Sequence, residues 1–359
     1  METLEEYKNV RIINDEPEFS ACESINVSTD FFILCETDKE LFGKNIYDNQ
    51  ICGMSILNWV VRACGAMPKI LKIDSETDPI AVVKPYVDYS AEYSVVFYAD
   101  TPLLNKLHIN DLINFVDRKR MNVCFFKRGF MFRNDYIKDN DEFYSIDEYD
   151  FASNDFFVVS GYEDFAVANE VLLKKVLDYH KKNGVYLENE NSLVVDANTD
   201  IGYQTRVLSG ANIINGTKIG ENSVIGKNAV ISGSTIAGSV KIGSNVVITN
   251  SIIKDNVIIG DGVIIENAVV GNNSIIQTGA KIYSSSLREE AFVGKLTILD
   301  NSRIFENVKI GDFCKILGIR EKTIIGANSR IGENNDIIDH VLSDGSIVED
   351  NLETKGTVR

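Results

Sequence analysis

The position that most invites chemistry is Asp100. It ends the apolar run Tyr93–Ala99, and Pro102 stops that run from continuing as a strand. Such a run reads as a buried strand. A carboxylate leaving the C-terminal end of a central strand stands where open α/β sheets bind their ligands. The same residue can also do no more than cap the following turn. Other reactive types are sparse. The three histidines, His108, His180 and His340, are scattered and read as core or surface residues. The six cysteines (Cys22, Cys35, Cys52, Cys64, Cys124, Cys314) form no CxxC pair and no histidine spacing that suits zinc, so they read as free thiols.

The elements that must position Asp100 belong to an α/β half, residues 1–190. Phe31–Cys35 reads as a second buried strand, and Ser55–Cys64 as a helix closed by Gly65. Ile109, Leu112, Ile113 and Val116 recur at the spacing of one helical face. A further helix is expected from about Asn169 to Asn183, acidic at its start and lysine-rich at its end, with Gly184 just beyond.

Residues 191–359 follow another rule. From Val195 an aliphatic residue returns every six positions, through Ile201, Val207, Ile213, Ile219, Ile225 and Ile231. A small residue follows each four places later: Thr199, Thr205, Ala211, Thr217, Ser223, Ala229 and Thr235. The series resumes at Ile242, Ile248, Ile253, Ile259, Ile265, Val270, Ile276 and Ile282. It runs less cleanly through Ile298, Ile304, Ile310, Ile316, Ile325 and Ile331 to about Val348. Hexapeptide units of this kind build a parallel β-helix shaped as a triangular prism, with three units in a coil of about 18 residues and about eight to nine coils here. Gly202, Gly220 and Gly226, or asparagines such as Asn212, Asn222, Asn228, Asn245, Asn256, Asn272 and Asn273, are expected to supply the positive φ of the corners.

The net charge of −17 argues against nucleic acid or an anionic membrane as the main partner. Phosphorylated substrates stay open, because a few local cations or Mg²⁺ can hold them. No apolar run approaches the roughly 18 residues of a membrane span. Met1–Asn9 is acidic and lacks a signal peptide's apolar stretch, so a cytoplasmic protein is expected.

Tyr98-Ala99-Asp100-Thr101-Pro102-Leu103-Leu104 resembles the Y-G-D-x-P-L-L segment of the bacterial N-acetylglucosamine-1-phosphate uridyltransferases. These bifunctional enzymes join a nucleotidyltransferase domain to a hexapeptide β-helix that acetylates glucosamine-1-phosphate. The resemblance implies a shortened, Rossmann-like nucleotidyltransferase domain, left-handed coils and a homotrimer. It implies Mg²⁺ as cofactor, and nucleoside triphosphate and sugar phosphate as partners. Asp100 inherits the role of metal ligand. Val167-Ala168-Asn169-Glu170-Val171-Leu172-Leu173 matches the stretch carrying the family's second metal ligand, which points to Asn169. Lys44 replaces the phosphate-binding lysine, and Tyr98 and Arg288 fall on substrate-binding segments. A catalytic residue is not assigned.

The chain also departs from the family. Its first strand leads into Cys35-Glu36-Thr37-Asp38-Lys39-Glu40, where the family has a glycine-rich phosphate loop. Asp300 stands where a lysine should follow Val293–Ile298, the coil bearing the catalytic histidine is missing, and Arg320 replaces a lysine. An acetyltransferase site is therefore read as eroded, and acetyl-CoA is not expected to bind. Three readings follow: a sugar-1-phosphate nucleotidyltransferase, a non-catalytic oligomeric scaffold or sugar-nucleotide sensor, and a hexapeptide acyltransferase using a different base.

Overall fold

The computed structural model describes residues 27–140, 148–151 and 156–355; the acidic N-terminus and Cys22 lie outside them. The chain divides into two compact units, Met1–Leu172 and Leu173–Arg359. That division falls inside a helix, earlier than the 190/191 junction expected from the sequence. Among the described residues no helix is long and apolar enough to cross a membrane.

The first unit is built on one five-stranded sheet. Its strands are β1 (Thr29–Glu36), β2 (Lys69–Ile73), β3 (Tyr93–Tyr98), β4 (Val123–Phe126) and β5 (Gly129–Arg133), in the order β2-β1-β3-β5-β4. β1 pairs in parallel with both β2 and β3, and β5 runs antiparallel to β3. Strand β1 carries Phe32, Ile33 and Leu34 fully buried, which is the continuous apolar reading of a strand covered on both faces. Helix α1 (Ile56–Cys64) starts where the Ser55 hydroxyl accepts from the Asn58 amide and ends at Gly65, with φ +65°. Helix α2 (Lys106–Lys119) buries Ile109, Leu112, Ile113 and Val116, the four positions its spacing marked. Helix α3 (Tyr162–Lys182) begins well before Asn169, which sits two turns inside it rather than at its start. None of the five described cysteines forms a disulfide.

The second unit is a left-handed parallel β-helix. Its three faces hold ten, ten and nine short strands, so the prism has about one coil more than the period suggests. Two causes account for the extra length. The first strand is Tyr186–Leu187, separated from Val194–Val195 by the turn Glu190–Ser192, which breaks the six-residue count and hides the first coil. Coil spacing also tightens: Ile213 pairs with Ile231 at 18 residues, but Ile231 pairs with Ile248 at 17. The shortened corners shift phase once more near the end, so Leu299 and not Ile298 points inward.

The corners divide two jobs between two residue types. Asn222, Asn228, Asn245, Asn256 and Asn273 hold φ between +54° and +60°, the left-handed region that asparagine tolerates best after glycine. Asn212 lies in a strand and Asn272 has no positive φ, so those two do not share the role. Gly202, Gly220 and Gly226 do not supply positive φ either. A Cβ on Gly226 would stand 2.1 Å from the Gly243 carbonyl oxygen, so these glycines let successive coils approach closely. The longest coil spans 21 residues: residues 318–322 leave the corner as a loop, and the Asp339 carboxylate accepts from the amides of Ile319, Arg320 and Glu321.

Candidate functional site

The chain leaves β1 for β2 on one side and then returns to place β3 on the other. The strand order therefore reverses between β1 and β3, the point at which open α/β sheets leave a crevice at their carboxyl ends. Glu36 is the last residue of β1, and Asp100 follows β3 by two residues. Both carboxylates thus come to the crevice by topology alone.

Neither is free there. Arg128 grips Asp100 with two nitrogens, Nε to Oδ1 at 3.1 Å and Nη2 to Oδ2 at 2.5 Å. The same Nη2 lies 2.6 Å from Glu36 Oε2. Lys39 Nζ bridges the pair as well, 3.0 Å from Asp100 Oδ2 and 2.5 Å from Glu36 Oε2. The Tyr47 hydroxyl donates to Glu36 Oε2 and accepts from the Glu36 amide. Two carboxylates and two cations close the cluster at zero net charge, with Asp100 wholly buried and Arg128 and Lys39 at the rim. Burial pushes the Glu36 carboxyl up, but hydrogen bonds and charge from Lys39 and Arg128 outweigh it and hold it below the ordinary value. For Arg128, desolvation is overcome by Asp100 and Glu36, and the guanidinium is held charged more firmly than usual.

Local structure explains how Arg128 arrives. Lys127 and Arg128 form the turn between β4 and β5, and the Arg128 carbonyl accepts from the Tyr98 amide. Gly129 makes the approach possible, since a Cβ there would lie 2.1 Å from the Val96 carbonyl oxygen. The guanidinium then stacks 4.0 Å over the Tyr98 ring.

Of the residues singled out from the sequence, Asp100 and Tyr98 meet in this cluster. The others lie elsewhere. Lys44 sits in the hairpin Glu40–Leu41/Lys44–Asn45, where its Nζ donates to the Asp48 carbonyl at 3.2 Å. Asn169 is exposed on α3, and its described side-chain contact is the Cys52 sulfur at 3.9 Å. Arg288 is exposed at the end of the β-helix strand Ser286–Leu287, and its amide donates to the Ile304 carbonyl. Glu36 and Tyr47 were not singled out from the sequence, and the two cations of the cluster, Lys39 and Arg128, were missed as well. The only sequence signal of these cations is a basic residue inside an acidic loop and a Lys-Arg-Gly turn between two apolar runs.

The cluster does not fit Mg²⁺. Both oxygens of Asp100 are taken by cations, and no group of three or more His, Cys, Asp or Glu among the described residues is placed to hold a metal ion. His180 is buried on α3 and His340 in the β-helix, where Asp300 is exposed.

Fold and site together define a hexapeptide β-helix protein carrying an α/β domain whose strand-order switch point is closed by ion pairs. No family model matches the chain. It is 30% identical over 177 residues to the bifunctional protein GlmU of Caldanaerobacter subterraneus subsp. tengcongensis. The match covers 48% of this chain and only 38% of that relative's length. Among solved structures, it is similar to the UDP-N-acetylglucosamine acyltransferase of Francisella novicida, at 17% identity and a TM-score of 0.29 over 42% of this chain and 60% of that one. The corresponding acyltransferase of Campylobacter jejuni gives 18% identity and a TM-score of 0.23 over 38% of this chain and 66% of that one.

Proposed function

We propose that this protein is a sugar-nucleotide-related hexapeptide protein that works as an oligomeric scaffold or sensor, without metal-dependent nucleotidyl transfer. One observation carries the reading: both oxygens of the buried Asp100 are held by Arg128 and Lys39. Nucleotidyl transfer needs a cation to offset charge on the triphosphate as the sugar phosphate attacks the α-phosphorus and pyrophosphate leaves. Here that position is filled by side chains of the protein itself. The partial likeness to GlmU supports a sugar nucleotide as the ligand class. Homotrimer formation is part of the proposal, supported by the outward column Val230, Val247 and Ile264 on one flat face.

A second reading, UDP-N-acetylglucosamine diphosphorylase activity, draws on the placement of Glu36 and Asp100 at the switch point. One experiment separates the two. The protein is mixed with UTP, N-acetylglucosamine-1-phosphate and Mg²⁺, and pyrophosphate is followed. The scaffold reading expects no release above the protein-free rate, and expects UDP-N-acetylglucosamine to raise the melting temperature equally with Mg²⁺ or with EDTA. Sustained pyrophosphate release overturns it in favour of the enzyme.

A further inference from the structure

At the opposite end of β3 and β5 from Asp100 lies a cavity of about 550 Å³, lined by Glu92, Tyr93, Asp117, Arg118, Arg120 and Arg133. Tyr93 opens β3 and pairs with Arg133, the last residue of β5. Asp117 and Arg118 occupy the last turn of α2, and Arg120 caps that helix with φ +53°. Three guanidiniums thus converge from two separate elements in a chain whose net charge is −17. A helix C-terminus explains one basic residue by its dipole, but Arg133 belongs to the sheet.

The pairing within the cavity is unequal. Arg118 and Arg120 are exposed and have no ion-pair partner among the described residues. Arg133 pairs with Asp135 through Nη2 and reaches Asn122 Oδ1 weakly through Nη1 at 3.5 Å. Its Nε is buried without an acceptor among the described residues, an unfavourable state for a polar group. The missing group is therefore an acceptor. Burial, with Asp117 and Glu92 close by, keeps the Tyr93 phenol protonated, adding one more donor. Glu92 and Asp117 in turn offer acceptors that a bare polyanion would not use.

We propose that this cavity binds a small phosphate monoester that also carries hydroxyl groups, its phosphate on Arg118, Arg120 and Arg133 and its hydroxyls on Glu92 and Asp117. Planar guanidiniums match phosphate oxygens in pairs, and carboxylates accept from hydroxyls. The volume suits a ligand of that size. The inference stands apart from the reading of the Asp100 cluster.

Calorimetric titration of the full chain tests it, in EDTA, with glucose 1-phosphate, ribose 5-phosphate, glycerol 3-phosphate, inorganic phosphate and glucose as probes. At least one ester is expected to bind more tightly than inorganic phosphate, and glucose is expected not to bind. The double variant Arg118→Ala/Arg120→Ala removes two exposed, unpartnered side chains, so its fold is expected to survive; it should weaken ester binding by about tenfold or more. Silence with all three esters overturns the proposal. So does equal affinity for inorganic phosphate, or binding that survives the double variant but is lost in Lys39→Ala.

Discussion

Ile248 and Asp100 are equally sealed from water, yet the protein holds them there by opposite means. Ile248 stacks between Ile231 and Ile265, and the same contact recurs at each neighbouring coil. Asp100 depends on Arg128 and Lys39, an arrangement that occurs once. Repetition spreads the stability of the β-helix over many equivalent contacts. The α/β unit concentrates a large, unrepeated electrostatic term in four side chains.

The sharpest way to break that contrast is Arg128→Met. It leaves Glu36 and Asp100 facing each other with only Lys39 between, and breaking a buried pair in this way costs about 3–5 kcal/mol. The chain's one tryptophan, Trp59, lies in α1, so its fluorescence reports on the α/β unit while far-UV circular dichroism follows the β-helix. The fluorescence transition is expected to fall and the dichroism transition to hold. Mn²⁺ should recover part of the loss in Arg128→Met and do nothing to wild type; a wild-type rise would show that the cluster opens to metal.

The second prediction concerns pH. His180 is buried in the β-helix unit, and burial pushes its pKa down to about 4, against a smaller upward pull from Asp200. Its Nδ1 has no hydrogen-bond partner among the described residues. Between pH 6.5 and 4 the unfolded chain binds the proton and the folded one does not. Stability is therefore complete above that window and falls through it, by about 3 kcal/mol. His180→Leu should flatten this part of the profile in urea unfolding followed by dichroism; an unchanged slope would mean that other groups carry it.

The smallest effect tests the glycines. Gly226→Ala drives a Cβ against the Gly243 backbone, which cannot rotate away, and should cost about 1–3 kcal/mol. Gly216→Ala, where the added carbon meets nothing closer than 4.0 Å, should cost less despite its φ of +67°. Equal losses in thermal melts would mean that backbone conformation, not coil spacing, sets the requirement.

These two kinds of region were not equally legible in the sequence. A period of six fixes which side chains point inward, so Val195 through Ile231 could be placed from spacing alone. Where a corner shortened, as before Leu299, the count slipped by one. The strand before Asp100 and the face of α2 were legible because they too are local patterns. Arg128 was not, because it reaches Asp100 only after a hairpin folds across the sheet over Gly129. Asn169 was misplaced for a related reason: nothing local distinguishes a helix start at 162 from one seven residues later.

The loop at 318–322 shows what the prism permits. Asn307 and Asn328 stack across 21 residues as Asn228 and Asn245 do across 17, so the ladder is indifferent to how much chain lies between its rungs. An insertion at such a corner is charged only the entropy of closing a larger ring, about 0.6 kcal/mol per doubling of its length. With Asp339 already gripping three consecutive amides at its base, this corner is a ready graft point where a foreign peptide can be displayed without disturbing the coils above and below.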